Sequence, residues 1–159
     1  MVDVTPDDLS DAPVGLTAVF SEAGGGKSTL LVKYGLQAIK NKDVVFYNLE
    51  GISIDLEMFS VVGGGAFSIE GLTTIPAIRK AIEANRNPNT VYLIDSIDMI
   101  APKPKERRTL LGNMATLHRS AEDRGIKVVC TMQLARDGHI PNKMRGMPFN
   151  WMILGNETP

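Results

Sequence analysis

The stretch FSEAGGGKSTLL, residues 20–31, places three consecutive glycines immediately before a Lys and a Ser. It matches the phosphate-binding pattern G-x-x-x-x-G-K-[ST] at Gly26, Lys27 and Ser28, but Ser21 stands where that pattern begins with Gly. An apolar run, LTAVF (16–20), precedes the loop, and residues 28–40 after it carry apolar side chains at helical spacing. The order of strand, loop and helix that the pattern requires is therefore predicted here.

The residue types of this loop suit the binding of a polyphosphate. Glycines let backbone N–H groups curl around an anion, and the start of the following helix adds a partial positive charge. In this motif the Lys reaches the outer phosphates and the Ser ligates Mg²⁺. A Ser can replace the leading Gly if its torsion angles stay in an allowed region. The predicted cofactor-binding residues are Ser21, Glu22, Ala23, Gly24, Gly25, Gly26, Lys27, Ser28 and Thr29. The alternative is a glycine-rich turn that resembles the motif by chance.

The bulk composition indicates one globular domain. The chain has 159 residues, of which we assign 1–14 to a flexible lead-in and 15–159 to a single domain. No apolar run reaches the roughly 18 residues that span a bilayer, so no membrane association is expected. One cysteine, Cys130, excludes an internal disulfide framework and favours a reducing compartment, the cytoplasm. A net charge of -1 gives no global basic field for nucleic acid, although local basic segments remain.

Strand and helix patterns alternate along the chain, which predicts an α/β fold with a mostly parallel central sheet. The predicted strands are 16–20, 44–49, 91–97, 126–133 and 149–154, and a further strand follows the turn at 61–67. The predicted helices are 28–40, a short one near 54–59, 74–86 and 106–125. Ligands of such sheets bind at the carboxyl ends of the strands.

Three more polar residues are predicted at these strand ends. Asp95 ends the strand VYLIDS and is a candidate Mg²⁺ ligand together with Ser28, with Ser96 as an auxiliary group. Glu50 follows the strand VVFYNL and is the candidate general base for an attacking water. Gln133 ends the strand IKVVCTMQ, where it would overlook the γ-phosphate. The predicted catalytic residues are thus Glu50, Lys27 and Gln133, whereas Asp98 is expected to face solvent or a neighbouring loop.

These pieces, in this order, resemble the RecA-like branch of P-loop NTPases. SEAGGGKST is similar to the first motif of that branch, YNLEG to its strand-end glutamate, VYLIDSIDMIAPK to its second motif, and CTMQ to its polar sensor strand. The ATPase cores of bacterial RadA/Sms proteins and of phage packaging motors are the most similar groups. The resemblance implies a three-layer RecA-like core over residues 15–155, a site for ATP and Mg²⁺, and ATP hydrolysis. A viral or mobile-element origin would fit such a compact core.

The resemblance also implies nucleic acid, single-stranded DNA or RNA, as the partner of a homo-oligomeric hexamer or filament. In that family the segments after the Asp strand and after the sensor strand contact nucleic acid, and here both carry basic side chains. The candidates are Lys103, Lys105, Arg107, Arg108, Arg136, Lys143 and Arg145, of which Lys143, Arg145 or Arg136 could act on a neighbour's γ-phosphate. The alternative interpretation is that these basic segments are solvated loops that do not contact nucleic acid.

Two other functions remain open from the sequence. One is a nucleotide-gated regulatory or binding module that hydrolyses slowly and acts through a protein partner. The other is a small-molecule kinase, which the lack of an arginine-rich lid disfavours. Stimulation of ATP turnover by nucleic acid would distinguish an ATPase that acts on nucleic acid from the regulatory module and from the kinase.

Overall fold

The computed structural model describes residues 4–22, 26–100, 109–135 and 139–154. Its centre is a sheet of six strands in the order β3-β2-β4-β5-β1-β6. The strands are β1 (Gly15–Ser21), β2 (Asp43–Asn48), β3 (Phe67–Glu70), β4 (Thr90–Asp95), β5 (Lys127–Gln133) and β6 (Asn150–Ile153). Every neighbouring pair runs parallel, so the predicted α/β class and parallel sheet are confirmed.

Helices connect the strands and cover both faces of the sheet. They are α1 (Pro6–Asp11), α2 (Lys27–Ala38), α3 (Leu56–Val62), α4 (Ile75–Ala84), α5 (Leu110–Asp123) and α6 (Asn142–Arg145), and a single 3-10 turn (Ile97–Met99) follows β4. Helices α1, α2 and α3 pack together on one face, and α4 and α5 pack together on the other. The result is a three-layer α/β arrangement. Among the described residues, no helix is long and apolar enough to cross a membrane.

Two hydrophobic cores follow from the alternation of side chains along the strands. On β4, Val91 and Leu93 pack against the α2 layer, whereas Tyr92 and Ile94 pack against α4 and α5. Because both faces are buried, the central strands are continuous apolar runs, which is why the sequence predicted them well. The cap of α4 is equally local, since the Thr74 hydroxyl accepts a hydrogen bond from the N–H of Ala77 and Pro76 occupies the first turn.

Helix α1 lies within the first 14 residues, which the sequence predicted as a flexible lead-in. Thr5 and Asp8 form a capping box at its start, and Leu9 is fully buried in the core of the α2 layer. At its end, the Lys127 ammonium donates to the carbonyls of Leu9 and Ser10 at 2.8 and 2.6 Å. The helix is therefore attached by a residue far away in the sequence, which no local pattern indicates.

Three other elements differ from the sequence-based boundaries. Helix α3 spans Leu56–Val62 instead of 54–59, and it begins after Asp55 because the Asp55 side chain caps its N-terminus. Strand β4 ends at Asp95 and the chain turns at once into the 3-10 segment. The segment between the predicted strands 126–133 and 149–154 contains the short helix α6. The predicted start of α5 at residue 106 falls outside the described residues, and within them the helix begins at Leu110.

Candidate functional site

The carboxyl ends of the strands bring polar side chains to one face of the sheet. Strand side chains alternate between faces, and Val19, Phe46, Leu93 and Val129 all pack into the core beside α2. The residues two positions further along therefore leave the same face. They are Ser21, Asn48, Asp95 and Thr131, followed on β5 by Gln133. This face, at the edge where α2 begins, is where the sequence-predicted site residues meet.

Ser21 ends β1 as an ordinary strand residue. It is fully buried, lies opposite Gln133 in the sheet register, and its carbonyl accepts a hydrogen bond from the N–H of Leu134 at 2.9 Å. No non-glycine residue in the described part of the chain has a positive φ, so the chain leaves β1 without left-handed strain at Ser21. The missing leading glycine is thus accommodated by regular strand geometry.

Position 26, in contrast, requires a glycine. It is the N-cap of α2 and has φ of 88°, a left-handed conformation that other residues adopt at a steric cost. The next residue, Lys27, is half-buried, and its ammonium makes no hydrogen bond or ion pair with any described residue. Glu22 and Thr29 are exposed. Ala23, Gly24 and Gly25 lie outside the described residues, so their predicted contacts are not placed.

Asp95 is held from two sides by hydroxyl groups. Its Oδ2 accepts a hydrogen bond from Ser28 Oγ at 2.6 Å, and its Oδ1 accepts one from Thr131 Oγ1 at 2.7 Å. The carboxylate is fully buried, and a buried polar group needs hydrogen-bond partners of this kind. Strand β5 lies between β1 and β4, so Ser28 reaches Asp95 across an intervening strand. The two predicted metal ligands are therefore adjacent.

The Ser28 and Asp95 oxygens are the hard donors that Mg²⁺ prefers. Among the described residues, no group of three or more His, Cys, Asp or Glu side chains could hold a metal by itself. A cation here would need ligands from a bound polyphosphate in addition to the protein, which is how Mg²⁺ is commonly held. The residues that are present fit that arrangement.

Glu50 lies next to this pair, two residues beyond the end of β2. Its backbone N–H and that of Leu49 both donate to the carbonyl of Asp95, at 2.9 and 2.8 Å. Its Oε1 accepts a hydrogen bond of 2.5 Å from Ser96 Oγ, while the side chain remains exposed. Ser96, expected as an auxiliary to Asp95, is thus bonded to the predicted general base instead.

Gln133 is exposed at the end of β5, on the same face as Thr131. Its backbone N–H donates to Asp98 Oδ2 at 2.8 Å. The expectation that Asp98 only faces solvent or a loop is therefore wrong, because its carboxylate joins the turn after β4 to the end of β5. A cavity of about 520 Å³ opens beside these residues, and its apolar wall includes Leu110, Met132 and Met144.

The basic candidates divide between described and undescribed parts of the chain. Lys143 and Arg145 belong to α6 and are exposed, and Lys143 lines the cavity beside Gln133. The Arg145 guanidinium stacks over the Trp151 ring, with 5.4 Å from Cζ to the ring centroid. The candidates Lys103, Lys105, Arg107, Arg108 and Arg136 lie outside the described residues.

Sequence reasoning missed Thr131, Asp98 and the partner of Ser96. A polar residue inside the apolar run KVVCTM was the available signal for Thr131, because a buried hydroxyl needs a hydrogen-bond partner. Identifying that partner requires the strand order, since Thr131 contacts Asp95 only because β5 lies beside β4. Ser96 and Asp98 gave no such signal, as Ser and Asp are common after strands.

Comparison with known proteins adds no family assignment: no protein-family model and no curated protein sequence matches this chain. The α/β fold with its all-parallel sheet is compatible with a P-loop NTPase. The function must accordingly be argued from the side chains at the carboxyl edge of the sheet.

Proposed function

We propose that this chain is a RecA-like P-loop ATPase domain that binds ATP with Mg²⁺ at the carboxyl edge of its sheet. The observation that carries the proposal is the contact between Ser28 and Asp95, with Glu50 beside it. A hydroxyl that begins a helix and two carboxylates that end neighbouring parallel strands are what phosphoryl transfer with a metal requires. The position of Ser28 at the start of α2, beside these carboxylates, supports this interpretation over a chance glycine-rich turn.

Each residue has a distinct role in this proposal. The start of α2 and the Lys27 ammonium bind the phosphates, and Lys27 is available because no described residue pairs with it. Ser28 and Asp95 would hold Mg²⁺, which when bound neutralises charge on the phosphates. Glu50 accepts a proton from the attacking water, since its carboxylate is exposed. Gln133 lies exposed at the end of β5, where its amide could contact the γ-phosphate.

We further propose that ATP turnover is coupled to nucleic acid, as the RecA-like resemblance implies. Lys143 and Arg145 support this part, because both are exposed on the helix that follows the Gln133 strand. Phosphate contacts by such residues are independent of base sequence and sensitive to salt. An oligomer of this chain, a hexamer or filament, would place several copies of α6 along one strand of nucleic acid.

The test is phosphate release from ATP and Mg²⁺, with and without single-stranded DNA or RNA. Lys27→Ala should abolish turnover by weakening ATP binding, and Glu50→Gln should retain ATP binding while turnover falls about 100-fold or more. Matched controls are Lys33→Ala, an exposed lysine on the same helix, and Glu57→Gln, an exposed glutamate on α3; both should match the wild type. A wild-type chain that neither binds nor hydrolyses ATP would contradict the proposal.

Nucleic-acid coupling has its own outcome in the same assay. Turnover should rise when single-stranded DNA or RNA is added, and the stimulation should weaken as salt is raised. ATP hydrolysis that no nucleic acid stimulates would leave the ATPase assignment in place and remove the coupling. The domain would then be a nucleotide-gated module that acts on a protein partner.

A further inference from the structure

Ser96 occupies a position where serine normally bonds to its own backbone. It is the N-cap of the 3-10 turn Ile97–Met99, yet its side chain makes no capping hydrogen bond. Serine at such a position usually accepts from a backbone N–H one turn later. Here the hydroxyl instead donates across the sheet to Glu50 Oε1 at 2.5 Å. The Ser96 hydroxyl, which could bond to the nearby backbone, thus makes a contact between the ends of two strands instead.

Burial makes this contact well defined at its Ser96 end. Ser96 is fully buried, whereas the side chain of Glu50 is exposed. The distance of 2.5 Å is at the short end for an O–H group donating to a carboxylate, which is the stronger class of hydrogen bond. The buried hydroxyl therefore fixes the position of one carboxylate oxygen on an exposed side chain.

The backbone of Glu50 is attached to the same strand end. The N–H groups of Leu49 and Glu50 both donate to the Asp95 carbonyl, the residue just before Ser96. Both the main chain and the carboxylate of Glu50 are thus bonded to the end of β4. Among the described residues, Ser96 is the one donor to this carboxylate, so Oε2 remains available to a water molecule.

We propose that Ser96 is a positioning residue that orients the Glu50 carboxylate toward the attacking water. The inference rests on the proposed ATPase function and assigns it a residue that does not itself touch ATP. Glu50 Oε2 accepts the proton of the water, and Oε1 keeps its hydrogen bond to Ser96. A base held in place transfers a proton more often in the reactive geometry, so the effect should fall on the chemical step and spare ATP binding.

The experiment compares Ser96→Ala with Ser96→Thr in steady-state ATP hydrolysis and in ATP titrations. Ser96→Ala should lower kcat about 10-fold to 100-fold while KM and the ATP dissociation constant stay within about 2-fold of the wild type. Ser96→Thr keeps the hydroxyl and should recover most of kcat. A residue with only a structural role would change KM, ATP binding and thermal stability together, and the hydroxyl of threonine would give no selective recovery of kcat.

The matched control is Thr17→Val, which removes another buried hydroxyl of the sheet. Thr17 Oγ1 has no hydrogen-bond partner among the described residues, and Thr17 lies near the opposite end of β1. The kcat of Thr17→Val should equal that of the wild type. If Ser96→Ala does not fold, as seen by circular dichroism, Ser96→Cys replaces it, because a thiol is a weak donor of similar shape and should give an intermediate kcat.

The outcomes separate this inference from the ATPase proposal. An unchanged or increased kcat in Ser96→Ala or Ser96→Cys, with Lys27→Ala inactive, overturns the positioning role and leaves the ATPase assignment intact. An increase would show that Ser96 restrains Glu50 in an unproductive position. A wild-type chain without ATP turnover overturns both.

Discussion

The Ser28 hydroxyl on α2 and the Asp95 carboxylate on β4 lie 2.6 Å apart, although β5 separates β4 from the strand that leads into α2. The contact is possible because α2 begins above the carboxyl edge of the sheet and Asp95 is the last residue of its strand. Two oxygens that a metal could share are therefore adjacent.

Replacing Ser28 tests this arrangement as a metal site. Ser28→Ala removes one of the two proposed protein ligands of Mg²⁺, so affinity for ATP with Mg²⁺ should fall about 10-fold to 100-fold. Affinity for ATP in EDTA should change little, and Ser28→Thr should keep the Mg²⁺ dependence. Isothermal titration calorimetry measures both. The same Mg²⁺ dependence in Ser28→Ala and the wild type would contradict the assignment.

Thr131 should contribute to stability through Asp95. Thr131→Val removes the only described donor to Asp95 Oδ1, and an unsatisfied buried group costs about 1–3 kcal/mol. Thr131→Ser keeps the hydroxyl and loses one buried methyl group, worth about 1 kcal/mol. Urea unfolding should therefore rank wild type, Thr131→Ser and Thr131→Val in decreasing stability. If Thr131→Val is as stable as Thr131→Ser, the hydrogen bond makes no net contribution to the free energy of unfolding.

Two glycines should respond to alanine in opposite directions. Gly15 has φ of 97°, and a Cβ there would lie 2.6 Å from two atoms of the buried His118 ring, whose Nδ1 accepts from the N–H of Leu16. Gly15→Ala should therefore destabilise the fold by about 2–4 kcal/mol. Gly112 is exposed within α5, and a Cβ there meets no atom of the described residues within 4 Å. Gly112→Ala should stabilise it by about 0.5–1 kcal/mol.

Urea or thermal unfolding measures both changes. Equal effects of the two substitutions would show that neither the backbone angle of Gly15 nor the space beside His118 restricts the residue at that position.

Cys130 should be unreactive in the folded chain. Burial, with a smaller contribution from the negative charge of Asp98, raises the pKa of its thiol far above the ordinary value, and the thiolate is the reactive form. Because it is the chain's only cysteine, thiol labelling at pH 8 reports on it alone. Labelling should be at least about 1000-fold slower in buffer than in concentrated urea, since it requires opening of the sheet. Fast labelling in buffer would contradict the burial.

Local patterns were sufficient for most of the secondary structure. Strands β1, β2, β4 and β5 are continuous apolar runs because both of their faces are covered, and α4 has its cap and its proline in sequence. Helix α1 was not predicted because Leu9 is its one fully buried residue and because the contact that holds its end comes from the distant Lys127. A hydrogen bond across more than 100 residues leaves no periodic signal.

The candidate site was predictable in its residue types and not in its connections. Asp95, Glu50 and Gln133 were identifiable because parallel strands place their ends at one edge. Which hydroxyl bonds to which carboxylate depends on strand order and on the direction of each side chain. For that reason the sequence predicted neither the hydrogen bond from Ser96 to Glu50 nor the one from Thr131 to Asp95.

The place of β5 between β1 and β4 has a mechanical consequence. Thr131 and Gln133 are two residues apart on this strand, so their side chains leave the same face about 7 Å apart. Residues 131–133 pair with β1 in regular extended geometry, which keeps that separation close to constant. A displacement of Gln133 along the strand axis should therefore also displace the Thr131 hydroxyl that contacts Asp95. Motion of the exposed Gln133 should therefore be coupled to the buried carboxylate of Asp95.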